Sequence, residues 1–123
     1  MITPEIYLMG RDRDFPPDHF QLRNMADLLS RVNWLLAHLN LDLKLSSGYR
    51  PSAINKSVGG AKMSTHTMCA GIDLYDPGNL VGKNLKADTS LLEKCGLWME
   101  DPAYTLNWLH MDLKQRKNRV FIP

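Results

Sequence analysis

The stretch from Ser64 to Asp73, Ser-Thr-His-Thr-Met-Cys-Ala-Gly-Ile-Asp, constrains the fold of this chain more than any other. An imidazole at His66 and a carboxylate at Asp73 stand seven positions apart, across a tight turn that contains Gly71. Such a turn can aim both groups at one cation. Two imidazoles and one carboxylate with an open fourth position are the composition of a catalytic zinc site, and His110 is the downstream imidazole able to complete it. The fold must then bring the segment carrying His110 back beside the one carrying Asp73.

Residues 97–113 supply a way to do so. Leu97 and Met99 alternate with Trp98 and Glu100; a loop around Asp101-Pro102 follows; Leu109, Met111 and Leu113 then alternate with Trp108, His110 and Asp112. Both runs have the period of a half-buried strand, and together they predict a hairpin. With the aliphatic faces turned to the core, Trp98, Glu100, Trp108, His110 and Asp112 share the opposite side. Two readings of that side stay open: a cleft in which His110 meets an acidic residue, or a sheet with one wet face.

The remaining elements follow from punctuation and period. Pro4, Gly10, Pro16 and Pro17 predict an extended arm or irregular wrap over residues 1–18, with one domain over 19–123. Leu22, Met25, Leu29, Val32, Leu36 and Leu39 form the stripe of an amphipathic helix that Asp18 can cap, with His19 and His38 as surface residues at its ends. Leu41, Leu43 and Leu45 alternate with polar residues as a strand that ends at Gly48 and Pro51, presenting Tyr49 and Arg50. Arg50 can hold a carboxylate in two parallel bonds, or serve as a surface ion-pair partner. A helical turn spans Ser52 to Ser57, and Gly59-Gly60 permits close backbone approach. Gly71 to Tyr75 reads as a strand with Asp73 facing away from Ile72 and Leu74, Asp76 to Asn79 as a turn, and Leu85 to Lys94 as a second helix ended by Gly96.

Composition bounds the class. With 123 residues, 44% of them apolar and 23% charged, the chain reads as a single soluble domain. A net charge of +2 implies no broad field for nucleic acid, and the cluster Lys114, Arg116, Lys117 and Arg119 reads as a solvated tail. No stretch has the pattern of a signal peptide or a membrane span, which predicts synthesis in the cytoplasm. Cys69 and Cys95 make no disulfide framework; Cys69 is either a small buried residue or, from its place in the central stretch, a ligand or nucleophile.

Three separated blocks resemble a known family: the zinc D-alanyl-D-alanine carboxypeptidases and L-alanyl-D-glutamate endolysins of bacteria and phages, kin to the hedgehog signalling domain. Its Ser-x-His-x-x-Gly-x-Ala-x-Asp pattern is matched at Ser64, His66 and Asp73; its Ser-Gly-Tyr-Arg, Asn and Gly-Gly positions at Ser47 to Arg50, Asn55 and Gly59-Gly60; and its final Trp-x-His at Trp108 to His110. The ends of the chain, Tyr-Leu-Met-Gly-Arg-Asp and Arg-Val-Phe-Ile-Pro, look similar to small phage-encoded members. The resemblance implies an α+β fold, with helices packed on a small, mainly antiparallel sheet, and Zn2+ held by His66, Asp73 and His110. It further implies that Arg50 steadies a substrate carboxylate or developing oxyanion, that Ser64 and Tyr49 bind substrate, and that a peptidoglycan peptide bond is hydrolysed. Such a member acts on the wall after lysis-time release from the host cytoplasm, or is carried on a virion among virion proteins.

The chain departs from the pattern at Cys69 and Gly71, where the family has Gly and Ala, and at Asn107, where many members have an acid. An amide cannot accept a proton from water. Glu100 is the candidate replacement base, with Asp112 second, as a residue that otherwise orients the site. The alternative is a non-catalytic phage structural or assembly protein that retains the fold and the zinc.

Overall fold

The computed structural model describes residues 1–60 and 64–123 and has an α+β architecture. Its centre is a five-stranded sheet in the order β1-β2-β4-β3-β5, formed by Leu45–Ser47, Gly71–Tyr75, Trp98–Glu100, Trp108–Asp112 and Val120–Phe121. All pairings are antiparallel except β3 with β5. The expected hairpin of residues 97–113 is present as β3 and β4, with Met99 opposite Met111.

Alternation sets the two faces. Ile72, Leu74, Leu97, Met99, Leu109 and Met111 are buried together with Met25, Leu28, Leu29, Val32, Leu35 and Leu36 of the long helix α2 (His19–Leu39). Each such aliphatic side chain, removed from water, stabilises the fold by roughly 1.5–3 kcal/mol. Asp18 caps α2 by accepting from the Gln21 amide, while Gln21 returns a bond to the Asp18 amide; Asn40, at positive φ, ends it. Leu22 lies outside the stripe and is exposed, whereas Leu28 and Leu35 are fully buried.

Three elements differ from expectation. Residues 1–18 are not an extended arm: Thr3 caps a short helix α1 (Pro4–Leu8), with Pro4 in its first turn, and a 3₁₀ turn follows at Arg11–Arg13. Ile2 and Tyr7 are buried in the core, the Ile2 backbone exchanges two hydrogen bonds with the Asn33 side chain, and the Tyr7 hydroxyl donates to Gly71 O at 2.8 Å. The strand expected from Leu41 starts only at Leu45, because the Leu41 amide is used to close α2, donating to Leu36 O. The helix expected over Leu85 to Lys94 is two helices, α4 (Leu80–Ala87) and α5 (Ser90–Cys95). Asp88 turns extended between them and its carboxylate accepts from the Ser90 amide.

The helix α3 (Ser52–Ser57) follows β1 directly. The basic carboxy-terminal cluster is not a plain solvated tail, since two of its guanidinium groups find aromatic faces: Arg116 lies over Phe121 and Arg119 over Trp98. Among the described residues, no helix is long and apolar enough to cross a membrane.

Candidate metal centre

The face of the sheet opposite the helices lines a cleft of about 500 Å³. Strand order spreads its chemistry across this face, with Ser47 on β1 leading to Arg50, Asp73 on β2, His110 on β4, Glu100 on β3 and Phe121 on β5. Asp73 pairs directly with His110 in the β2–β4 register. Extending the β3–β4 register by one residue from Met99 and Met111 sets Glu100 opposite His110. The face is therefore a cleft rather than a wet sheet surface, and His66, Asp73, His110 and Asp112 are all buried within it.

His66 reaches this face from a 3₁₀ turn, Thr65–Met68, which Ser64 caps by accepting from the His66 amide. The turn ends on Cys69 in the left-handed region, φ 56°, a conformation glycine adopts without penalty. That explains why a glycine suits the family position; Cys69 adopts the same conformation at the steric cost that a Cβ incurs there. Gly71 has its own reason: a Cβ there would collide with the Thr65 hydroxyl and crowd the His110 ring. Burial pushes the Cys69 thiol up to about 12, so the thiolate needed of a ligand or nucleophile is suppressed, and Cys69 is a small core residue. Both cysteines are free thiols.

Ligand atoms of His66, Asp73 and His110 all lie within 4.8 Å of one another. His66 Nε2 is 3.2 Å and His110 Nδ1 2.8 Å from the same oxygen, Asp73 Oδ1. The far nitrogens decide what these atoms are. His66 Nδ1 lies 2.8 Å from Gly48 O, a pure acceptor, so it carries the proton and leaves Nε2 with a lone pair. His110 Nε2 lies 2.7 Å from the Asp112 carboxylate and donates to it, which in the neutral ring leaves the lone pair on Nδ1. With His110 neutral, two lone pairs and a carboxylate converge, and a bound cation takes the place of the proton that His110 Nδ1 otherwise shares with Asp73. Nitrogen and carboxylate donors of this kind suit zinc, and the Asp112–His110 bond is the outer partner usual for a metal-bound imidazole.

Electrostatics agree. Burial pushes the Asp73 carboxyl up, but hydrogen bonds and charge from His110 and His66 outweigh it and hold the group well below the usual carboxylate range. Burial lowers His110, yet its bonds to Asp112 and Asp73 raise it to about 9. A site that favours positive charge between these groups attracts a cation.

Arg50 stands beside this centre, 3.8 Å from Asp73 Oδ2, and its guanidinium also meets Asn55 at 3.1 Å and Ser47 at 3.4 Å. Gly60 is the residue that allows this packing, since a Cβ there would run into Asn55 and Arg50. Ser64 lines the cleft; Tyr49 does not. Tyr49 is buried in the core with its hydroxyl donated to Phe15 O, so the expected substrate-binding place of Tyr49 is corrected to a structural one. Glu100 lines the cleft half-buried, and burial raises its carboxyl above the ordinary value of 4.5 against the opposing charge of His110. Asn107 is outside the cleft, in the left-handed region at the start of β4, where its side chain accepts from the Gly78 amide.

Sequence reasoning missed Thr65, Lys114, Arg116 and the Phe121–Pro123 segment, all of which line the cleft. The alternation Trp108, His110, Asp112 continues to Lys114, which was a usable signal; the return of β5 beside β3 left none.

A family model described as Peptidase M15 matches residues 10–98, a span that includes His66 and Asp73 and stops short of His110. No curated protein and no solved structure matches the chain. The match covers more than half of the chain, so the chain belongs to the M15 family of zinc-dependent peptidases.

Proposed function

We propose that this protein is a zinc peptidase that hydrolyses peptide bonds of bacterial peptidoglycan, with Glu100 as general base. The observation that carries the reading is the shared cleft: Glu100 faces His110 from the adjacent strand, on the same side as all three candidate ligands. Adjacent strands lie about 4.8 Å apart, close enough for one water to reach both groups.

His66, Asp73 and His110 would hold the metal. Zinc, when bound, supplies Lewis-acid polarisation of a carbonyl and acidifies water. The other steps belong to side chains. Glu100 accepts a proton from the attacking water and returns it to the leaving amine; its raised carboxyl is better matched to both transfers than a free glutamate. Arg50, at the far side of the centre, binds a substrate carboxylate or the charge that develops on the carbonyl oxygen. Ser64 offers a hydroxyl on the same wall. The peptidoglycan substrate and the route to it, by lysis-time release or carriage on a virion, rest on the resemblance of the three motif blocks.

A second reading, a non-catalytic assembly protein that keeps the fold and zinc, is favoured by Asn107. The experiment that separates the two measures zinc per chain and amino groups released from purified peptidoglycan. The expected result is about one zinc per chain, lost in His66→Ala, and amino-group release that is lost in Glu100→Gln with zinc retained. Zinc without release on walls of several chemotypes favours the assembly reading.

A further inference from the structure

Four side chains, one of them a candidate ligand, close a ring. His110 Nε2 lies 2.7 Å from Asp112 Oδ2. Asp112 takes the fork of Arg116, Nη1 to Oδ1 at 2.7 Å and Nη2 to Oδ2 at 3.2 Å. The Arg116 guanidinium sits 3.5 Å over the centroid of Phe121, and the Phe121 ring meets His110 edge-on at 6.1 Å. Asp112 itself is fully buried.

The carboxy-terminal strap has fastenings besides the Arg116 side chain. It is fastened by backbone bonds of Met99 to Arg119 O and Asp101 to Phe121 O, by the Trp98 indole to Arg116 O, and by Arg119 stacked on Trp98 and bonded to Leu97 O. The Arg116 guanidinium turns inward, where its Nη1 also meets Lys114 O at 3.1 Å. A buried carboxylate with a bidentate guanidinium on one side keeps a fixed orientation, and so presents a fixed acceptor to the imidazole on its other side.

We infer that Arg116 is a positioning residue of the metal centre: it acts through Asp112 to hold the His110 ring with Nδ1 toward Asp73, and through Phe121 to fix the cleft wall beside that ring. The inference rests on reading His66, Asp73 and His110 as the metal centre. Without Arg116, Asp112 keeps the Lys114 amide at 3.1 Å on Oδ1 and the His110 ring at 2.7 Å on Oδ2, and loses the charged fork that fixes its plane.

The test is zinc affinity, read by competition with a chromogenic chelator well below the melting temperature, together with imidazole nitrogen NMR of His110. Arg116→Met keeps an apolar stem and should weaken zinc binding, by less than the roughly 10–100-fold usual for losing the ligand's own outer partner, and alter the His110 nitrogen signals. Arg119→Met loosens the same strap without touching Asp112 and should leave both readouts at wild-type values. Should Arg116→Met fail to fold, Arg116→Lys, which keeps the charge but not the two-pronged bond to Asp112, carries the test with a loss in the same direction. Wild-type affinity in Arg116→Met, or in Arg116→Lys where that variant stands in, overturns the inference alone, as does an equal loss in Arg119→Met. A wild-type chain that takes up no zinc overturns it together with the metal-centre reading.

Discussion

Nδ1 of His66 donates to the carbonyl of Gly48 at 2.8 Å, and this bond joins two motif blocks that lie 18 positions apart. It fixes which nitrogen of His66 faces Asp73. Gly48 can hold its carbonyl there because it has no side chain, since a Cβ would collide with the backbone of Tyr7. Gly48→Ala is therefore expected to cost about 1–3 kcal/mol in a denaturant titration, the range for overpacking a filled site. Zinc affinity should fall in parallel, because the imidazole loses its anchor. Unchanged affinity in a stably folded variant would show that the Gly48 bond does not orient the ligand.

Glu100 ties activity to pH. A proton acceptor must be ionised, so cleavage should rise with pH through the pKa of Glu100, which burial places above the ordinary 4.5. The same shift bears on stability with the opposite sense. A carboxyl whose folded pKa is raised favours its neutral form in the fold, so its contribution is present at acid pH and is lost as pH rises through that pKa. Glu100→Gln should lower the cleavage rate by about 10²–10⁴, while its metal-free melting temperature gains on wild type from acid to neutral pH. Melting curves that stay parallel across that range would contradict the buried placement of Glu100.

Asn107 stands where many relatives of the resembling family carry an acid, yet its side chain accepts from the Gly78 amide in an exposed turn. Aspartate can accept the same bond and tolerates the left-handed backbone. Asn107→Asp should change stability by less than about 0.5 kcal/mol and should not restore cleavage to Glu100→Gln. Restoration in the double variant would move the base from β3 to the start of β4.

Tyr7 tests whether the first residues belong to the domain. Its buried hydroxyl donates to Gly71 O, at the start of the strand that carries Asp73. Tyr7→Phe leaves that carbonyl without its partner and should cost about 1–2 kcal/mol. A variant as stable as wild type would return residues 1–18 to the status of a dispensable arm.

Much of this geometry was legible because period and parity are local. The alternation of residues 97–113 put Glu100, His110 and Asp112 on one face before any contact was known, and the sheet keeps them there. The same logic turned Asp73 away from Ile72 and Leu74, but the register that sets it opposite His110 is non-local and had no signal in the chain. What escaped was non-local or short. The parallel return of β5 depends on residues 21 positions from their partners, which no periodicity announces. The helix of residues 4–8 is a single capped turn whose Thr-Pro signal was outweighed by the surrounding Pro and Gly. Tyr49 shares a motif with Arg50, but consecutive residues project to different sides, and only one of them reaches the cleft.

The three candidate ligands are not held with equal tenacity. Asp73 and His110 sit on β2 and β4, interior strands paired along five residues, where amides should exchange with solvent only when the domain opens as a whole. His66 stands on a single four-residue turn outside the sheet. An ion bound among them would come and go through the brief departure of one imidazole, so metal exchange could proceed on a clock much faster than unfolding.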